Sequence, residues 1–179
     1  LHLVIAFFIL SLILWNYLEL VKFNVSGDKI NRYLPMAFLF LIFVQITIGA
    51  FVSGMDAGKI YNSWPLMGNN FFPDDSEFIN LFKLSAFSDP SLTQFIHRNL
   101  AYLILFFYLI ICFKIYKNKK VKFFKIINLI GLILFIQIAL GIFTLVNGAQ
   151  IFLSSMHQIS SIFLVSSSVY FFYLNSKTN

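Results

Sequence analysis

His2, His97 and His157 are the three histidines of this chain, and each falls at or just inside the end of a long apolar segment. Imidazole within a membrane span is uncommon and is by default a functional group. For any one of them, the plain alternative is an interfacial residue that reaches to headgroups or caps a helix. Three at matched depth with none elsewhere point to a shared cofactor role for at least two. Two neutral imidazoles on neighbouring helices suit the axial positions of a haem iron. Zinc asks for three or four ligands with thiolate or carboxylate help. Here the single thiol, Cys112, lies near the opposite end of its segment, and Glu19 is the only carboxylate inside an apolar segment. Copper stays open on ligand type, but the many aromatics and the lack of clustered acids favour a porphyrin pocket.

A repeated motif accompanies the histidines. Gln45-Ile-Thr-Ile-Gly49-Ala-Phe51 and Gln137-Ile-Ala-Leu-Gly141-Ile-Phe143 both read Q-I-x-x-G-x-F, 92 residues apart. Each is followed by a segment that carries histidine, which is the pattern of an internal duplication. Helical geometry puts Gln45, Gly49 and Ser53 on one face, with Gln137, Gly141 and Leu145 in the corresponding places. Glycine there admits the close approach of a neighbouring helix or of a flat macrocycle, and spacing does not separate the two. Around His157, Ser160, Ser161, Ser167 and Ser168 form a small polar stripe. It either leaves room for a ring standing edge-on or bonds its own helix carbonyls. Arg98, beside His97 at the water boundary, could fork onto propionate carboxylates or anchor to headgroups.

The elements that must position these groups are membrane helices. A mean hydropathy of +0.84, with 59% hydrophobic and 11% charged residues, belongs to a chain dissolved in lipid. Five segments, 1–23, 34–54, 95–116, 126–146 and 152–174, each have the ~20 apolar residues needed to cross ~30 Å of hydrocarbon. Helices are expected because a backbone in lipid must satisfy its own hydrogen bonds. The expected fold is an all-α integral membrane protein of five transmembrane helices. Lys22, Lys29 and Arg32 follow the first segment, Lys117, Lys119, Lys120, Lys122 and Lys125 the third, and Lys177 the fifth. Residues 55–94 hold Asp56, Asp74, Asp75, Glu77 and Asp89 against Lys59 and Lys83, a net of −3. The basic loops are therefore expected on the cytoplasmic side, with loop 55–94 and all three histidines toward the outer side. The net charge of +6 is thus topological and gives no reason to expect nucleic acid as a partner. Cys112, alone, can form no intrachain disulfide. A chain that starts at Leu1-His2, already apolar, with no basic flank or cleavage site, reads as a fragment rather than as one opening on a signal peptide.

The specific stretch is the loop at 54–65, Gly-Met-Asp-Ala-Gly-Lys-Ile-Tyr-Asn-Ser-Trp-Pro, continuing Leu-Met to give D-A-G-x-x-Y-N-x-W-P-L-M. With the histidines and the Q-x-x-x-G helices, it resembles haem A synthases of the alphaproteobacterial and mitochondrial type. The resemblance covers essentially the whole chain. It implies a protein of eight helices in two similar four-helix halves, this chain matching the fourth to eighth. Residues 1–23 would be the last helix of the amino-terminal half, 24–33 a cytoplasmic loop, 34–174 a haem-binding four-helix half and 175–179 a tail.

The resemblance also implies roles. His97 and His157 match the pair that ligates a haem b for electron transfer, and His2, in H-L-x-x-A, matches a histidine of the half where the substrate haem sits. Arg98, Gln45 and Gln137 are the other expected cofactor-binding residues. The whole protein would oxidise the ring methyl of haem O to the formyl of haem A in a bacterial inner membrane. Haem O synthase and cytochrome oxidase assembly factors are its candidate partners. The glutamate assigned a catalytic role in the family belongs to the absent half, so no catalytic residue is assigned here and the fragment alone is expected to be inactive. Trp64, Tyr61 and the loop acids would cap the pocket, rest at the membrane interface or meet a partner. The competing readings are a non-enzymatic bis-histidine cytochrome, which would not call for the loop motif, and a cofactor-free transporter-like bundle.

Overall fold

The computed structural model describes residues 2–21, 27 and 29–177. Leu1, Lys22, Phe23 and most of the first basic loop therefore lie outside the described residues. Five long helices account for the five expected spans: α1 (His2–Val21), α2 (Tyr33–Gly54), α3 (Pro90–Lys117), α4 (Phe124–Val146) and α5 (Ile151–Ser176). All five are long and apolar enough to cross a membrane, and no strand occurs among the described residues. The protein is an integral membrane helix bundle.

Helix α3 starts at Pro90, five residues before the apolar run that announces it. Asp89 stops the preceding loop, its Oδ1 accepting from the Leu92 N–H at 3.0 Å, and Pro90 occupies the first helical position. Both are standard helix-start chemistry. The extra turn (Ser91, Leu92, Thr93 and Gln94) is buried. It is largely polar because it packs under loop 55–94 and not against lipid; Thr93 Oγ1 donates to the Ala86 carbonyl at 3.1 Å. Loop 55–94 is compact, with short 3₁₀ turns at Ala57–Lys59, Phe78–Phe82 and Leu84–Ser88.

Helices α2, α3, α4 and α5 close into a ring, each packed on the next, with the α4–α5 and α2–α3 pairs the most extensive. Phe38, Ile42, Ile104, Ile111, Ile127, Ile130, Val165 and Val169 meet at its centre. Phe40, Phe106 and Phe135 point outward, fully apolar and uncovered, as residues facing lipid do. Helix α1 lies outside the ring against α5 and α2. It is fastened at its inner end, where Tyr173 Oη donates to the Leu18 carbonyl at 2.8 Å and Trp15 packs edge-on against the Tyr173 ring. Glu19 there pairs with Lys177 at 2.8 Å, which raises the lysine pKa through the hydrogen bond to the carboxylate. Asn175, buried, holds both the N–H and the carbonyl of Ile30. The 24–33 connection is thus pinned at one point to the end of α5.

Candidate functional site

The two repeated motifs fold into two copies of one arrangement. On α2, Gln45 Nε2 donates to the His97 carbonyl on α3 at 3.1 Å and sits 3.3 Å from His97 Nε2. On α4, Gln137 Nε2 donates to the His157 carbonyl on α5 at 3.0 Å and sits 3.5 Å from His157 Nε2. One turn along each glutamine helix, glycine lets the imidazole lie against the backbone. A Cβ at Gly49 would stand 3.1 Å from His97 Cε1, and one at Gly141 would stand 3.1 Å from His157 Cε1. Glutamine and glycine at i and i+4 thus serve opposite ends of the same histidine: main-chain carbonyl and ring edge.

The copies differ in one detail. Ser160, three residues after His157, places its hydroxyl against Gln137 Oε1 and against the His157 carbonyl. The residue three after His97 is Leu100, and Gln45 Oε1 is buried without a partner. The Gln137 amide is therefore held at both ends and the Gln45 amide at one. Of the serine stripe, Ser161, Ser167 and Ser168 bond their own helix carbonyls, the second of the two expectations for them.

Both rings keep a buried Nδ1 with no hydrogen-bond partner. A buried polar atom left unpaired costs about 1–3 kcal/mol, and here the cost recurs at both copies. The rings lie seven and six residues into their helices, or roughly 10 Å along the axis at the helical rise. Two imidazoles at matched depth in one apolar bundle, each with an unpaired ring nitrogen, have the chemistry of the donor set of a two-ligand centre such as a haem iron. Among the described residues, no three of His, Cys, Asp and Glu are placed to hold a metal ion. The residues present fit the porphyrin expected from the sequence. His2 lies exposed in the first turn of α1 and takes part in neither cradle.

The loop closes this end of the bundle. Arg98 Nη1 donates to the Ser63 carbonyl at 3.0 Å and the Leu66 carbonyl at 3.3 Å, and Nη2 to the Tyr61 carbonyl at 2.9 Å. Gln94 Nε2 adds a second bond to Tyr61. Trp64 Nε1 donates to Tyr102 Oη at 3.0 Å, and Asn62 Nδ2 reaches across to the Leu145 carbonyl on α4 at 2.9 Å. The Tyr-Asn-x-Trp part of the motif is thereby tied to α3 and α4, the helices on either side of the two cradles. Burial, together with the Asp75 carboxylate, pushes the Tyr61 hydroxyl pKa up, so it stays protonated at neutral pH. The terminal nitrogens of Arg98 thus hold the loop. Its Nε is buried and unpartnered. The strap from Asn62 to α4 was not legible beforehand, since nothing local in a loop asparagine says which distant carbonyl it will meet.

Replacing Arg98 by lysine keeps the charge but not the fork that holds three carbonyls at once. Amide hydrogen exchange across residues 61–68 should rise about tenfold or more, the equivalent of ~1.4 kcal/mol in local opening. Unchanged exchange there would show that the loop holds itself.

The fold and site define a five-helix membrane bundle with two matched Gln–Gly–His cradles under a strapped loop. The chain belongs to the cytochrome oxidase assembly protein family COX15-CtaA, whose model matches residues 1–169. It is 43% identical over 175 residues to the Heme A synthase of Pelagibacter ubique, covering 98% of this chain and 52% of that protein. It is 35% identical over 181 residues to the Heme A synthase of Rickettsia prowazekii, covering 98% and 53%. Against the Heme A synthase of Rickettsia bellii it is 36% identical over 170 residues, covering 92% and 50%. The chain spans about half the length of these curated relatives. No solved structure matches it.

Proposed function

We propose that this chain is the haem-holding half of a haem A synthase, in which His97 and His157 would hold one haem b that would supply electron transfer. The observation that carries the reading is the duplicated cradle. Two glutamine–glycine pairs fix two imidazoles, and each imidazole retains a buried nitrogen that the chain itself does not satisfy. A haem held by two imidazoles supplies one-electron transfer and has no open coordination position. The chain's own residues orient and enclose it. Gln45 and Gln137 fix the ring directions, Gly49 and Gly141 keep the rings against the helix backbones, and the Arg98-strapped loop excludes water. Arg98 Nε is the donor left over for a propionate.

In the whole protein, the substrate would be haem O, whose ring methyl becomes the formyl of haem A. His2 would serve the iron of that substrate haem, apart from the 34–174 half. The positive-inside pattern places the cradles and loop 55–94 on the outer, periplasmic side of the bacterial inner membrane.

Pigment extraction from the whole protein, expressed in cells that make haem O, tests the activity. Haem A is the expected product, accompanied by haem b retained on the protein. If haem b alone is recovered, with haem O unconverted, the protein is a membrane cytochrome and the synthase reading fails.

A further inference from the structure

The outer loop carries a second surface that neither the cradles nor the straps use. Phe78, Ile79, Phe82 and Leu84 are exposed to 63%, 58%, 76% and 88%. Four large apolar side chains within seven residues, all uncovered, are unusual for a segment in water. We propose that residues 78–87 lie in the bilayer interface, with these four side chains seated among the upper acyl chains of the outer leaflet.

Continuity with the lipid-facing belt identifies lipid as the occupant. Along α2, Met36, Phe40 and Phe51 recur at i, i+4 and i+15 on the uncovered face, and Phe51 meets Phe87 of the loop at 6.4 Å between ring centroids. Along α3, Phe113 and Phe106 are uncovered, and Phe95 continues that stripe three turns outward. Phe95 packs edge-on against Phe72 at 5.0 Å, Phe72 against Phe78 at 5.7 Å, and Phe78 edge-on against Phe82 at 5.8 Å. Ring contacts thus join the outer ends of two lipid-facing helices to the loop's apolar side.

Acidic residues flank the segment on both sides in sequence and meet beside it. Asp74, Asp75, Glu77 and Asp89, with Ser76 and Asn80, line an open cleft of about 520 Å³. A short segment whose apolar side is continuous with the lipid belt, lying beside a polar cleft, is suited to the interface plane. Lys83, the one charged residue of 78–87, donates to Asn80 Oδ1 at 2.8 Å, so the four uncovered apolar side chains carry the attraction to acyl chains. This inference does not depend on the haem reading.

The test is depth-resolved fluorescence quenching in the full chain, reconstituted in phosphatidylcholine vesicles. Phe82→Cys and Leu84→Cys, each with Cys112→Ser, carry an environment-sensitive fluorophore. Phe106→Cys on the lipid face of α3 and Glu77→Cys in the acidic cleft are the two references. Phosphatidylcholine bearing a spin label in the upper acyl chain should quench positions 82 and 84 as it quenches 106, while aqueous iodide quenches only 77. Quenching of 82 and 84 by iodide and not by the labelled lipid would place the segment in water and overturn the proposal. Insensitivity to both quenchers would mean that protein, a second copy included, covers the patch, and would overturn it equally. Two exposed positions are read because neither side chain supports the core, so a folding defect at one leaves the other to decide.

Discussion

Alanine at His157 should remove the low-spin b-type absorption spectrum expected of the detergent-purified chain on the proposed reading, and alanine at His97 should do the same. The expected effect is near-complete for each single variant, because a centre with two protein ligands has no third to compensate. Among the described residues, no further histidine, cysteine or carboxylate joins the pair. The two sites should nonetheless differ in how they tolerate softer changes. Gln137 is held at both ends of its amide, by Ser160 and the His157 carbonyl, whereas Gln45 Oε1 has no partner. Gln137→Leu therefore abolishes more fixed geometry than Gln45→Leu, and should broaden the reduced-minus-oxidised spectrum further. A wild-type chain that folds but binds no haem, or a His157→Ala chain with an unaltered spectrum, would end the assignment of these histidines as ligands.

How much of this was legible in the sequence depended on the range of the interaction. Hydropathy runs of about 20 residues set the helices because the bilayer imposes that length on any spanning helix. The largest boundary difference, at the start of α3, arose where the chain leaves lipid for the cover of its own loop, so apolarity no longer marks the helix and Asp89-Pro90 does. The Q-x-x-x-G repeat was legible as a pattern, but whether it served helix packing or a ring was not. The structure shows that it serves the histidines, glutamine at the carbonyl and glycine at the ring edge.

Arg98 was legible as important and ambiguous in partner. Guanidinium groups at the water boundary satisfy any carbonyl or carboxylate brought near, and the folded loop brings three carbonyls. His2 had the same residue type and depth as the others, yet α1 lies outside the four-helix ring and leaves it exposed. No single-residue signal distinguishes a histidine on a ring helix from one on a peripheral helix.

Gly131→Ala should cost the bundle most of any single methyl addition, and this position carried no sequence signal beyond being a glycine in an apolar helix. Tyr108 of α3 reaches across to α4 and donates from Oη to the Ile127 carbonyl at 3.1 Å. Ile127 and Gly131 are one turn apart, so the phenol crosses the helix surface where a side chain would stand. A Cβ on Gly131 would overlap Tyr108 Oη outright and come within 2.9 Å of Cζ. The ring is nearly fully buried, so moving it aside strands a hydroxyl in an apolar seam. Overpacking at about 1–3 kcal/mol and the lost hydrogen bond at about 1 kcal/mol together give a loss of about 2–4 kcal/mol. The same seam holds the stacked pair of Tyr116 and Phe124 at 4.4 Å, and it joins the helix bearing His97 to the helix bearing Gln137.

Equilibrium unfolding in mixed micelles, read by helicity, should therefore show a lowered midpoint for Gly131→Ala. Tyr108→Phe removes the overlapping oxygen, so the alanine should cost less on that background, with a coupling of about 1 kcal/mol or more between the two positions. Additive effects would mean that the tyrosine has another place to go, and that the α3–α4 seam is set by something other than this contact. Haem retention in the same variants separates seam from pocket. Coupled loss of stability and haem is the result of two cradles drifting apart. Haem loss at an unchanged midpoint would make Gly131 part of the pocket wall.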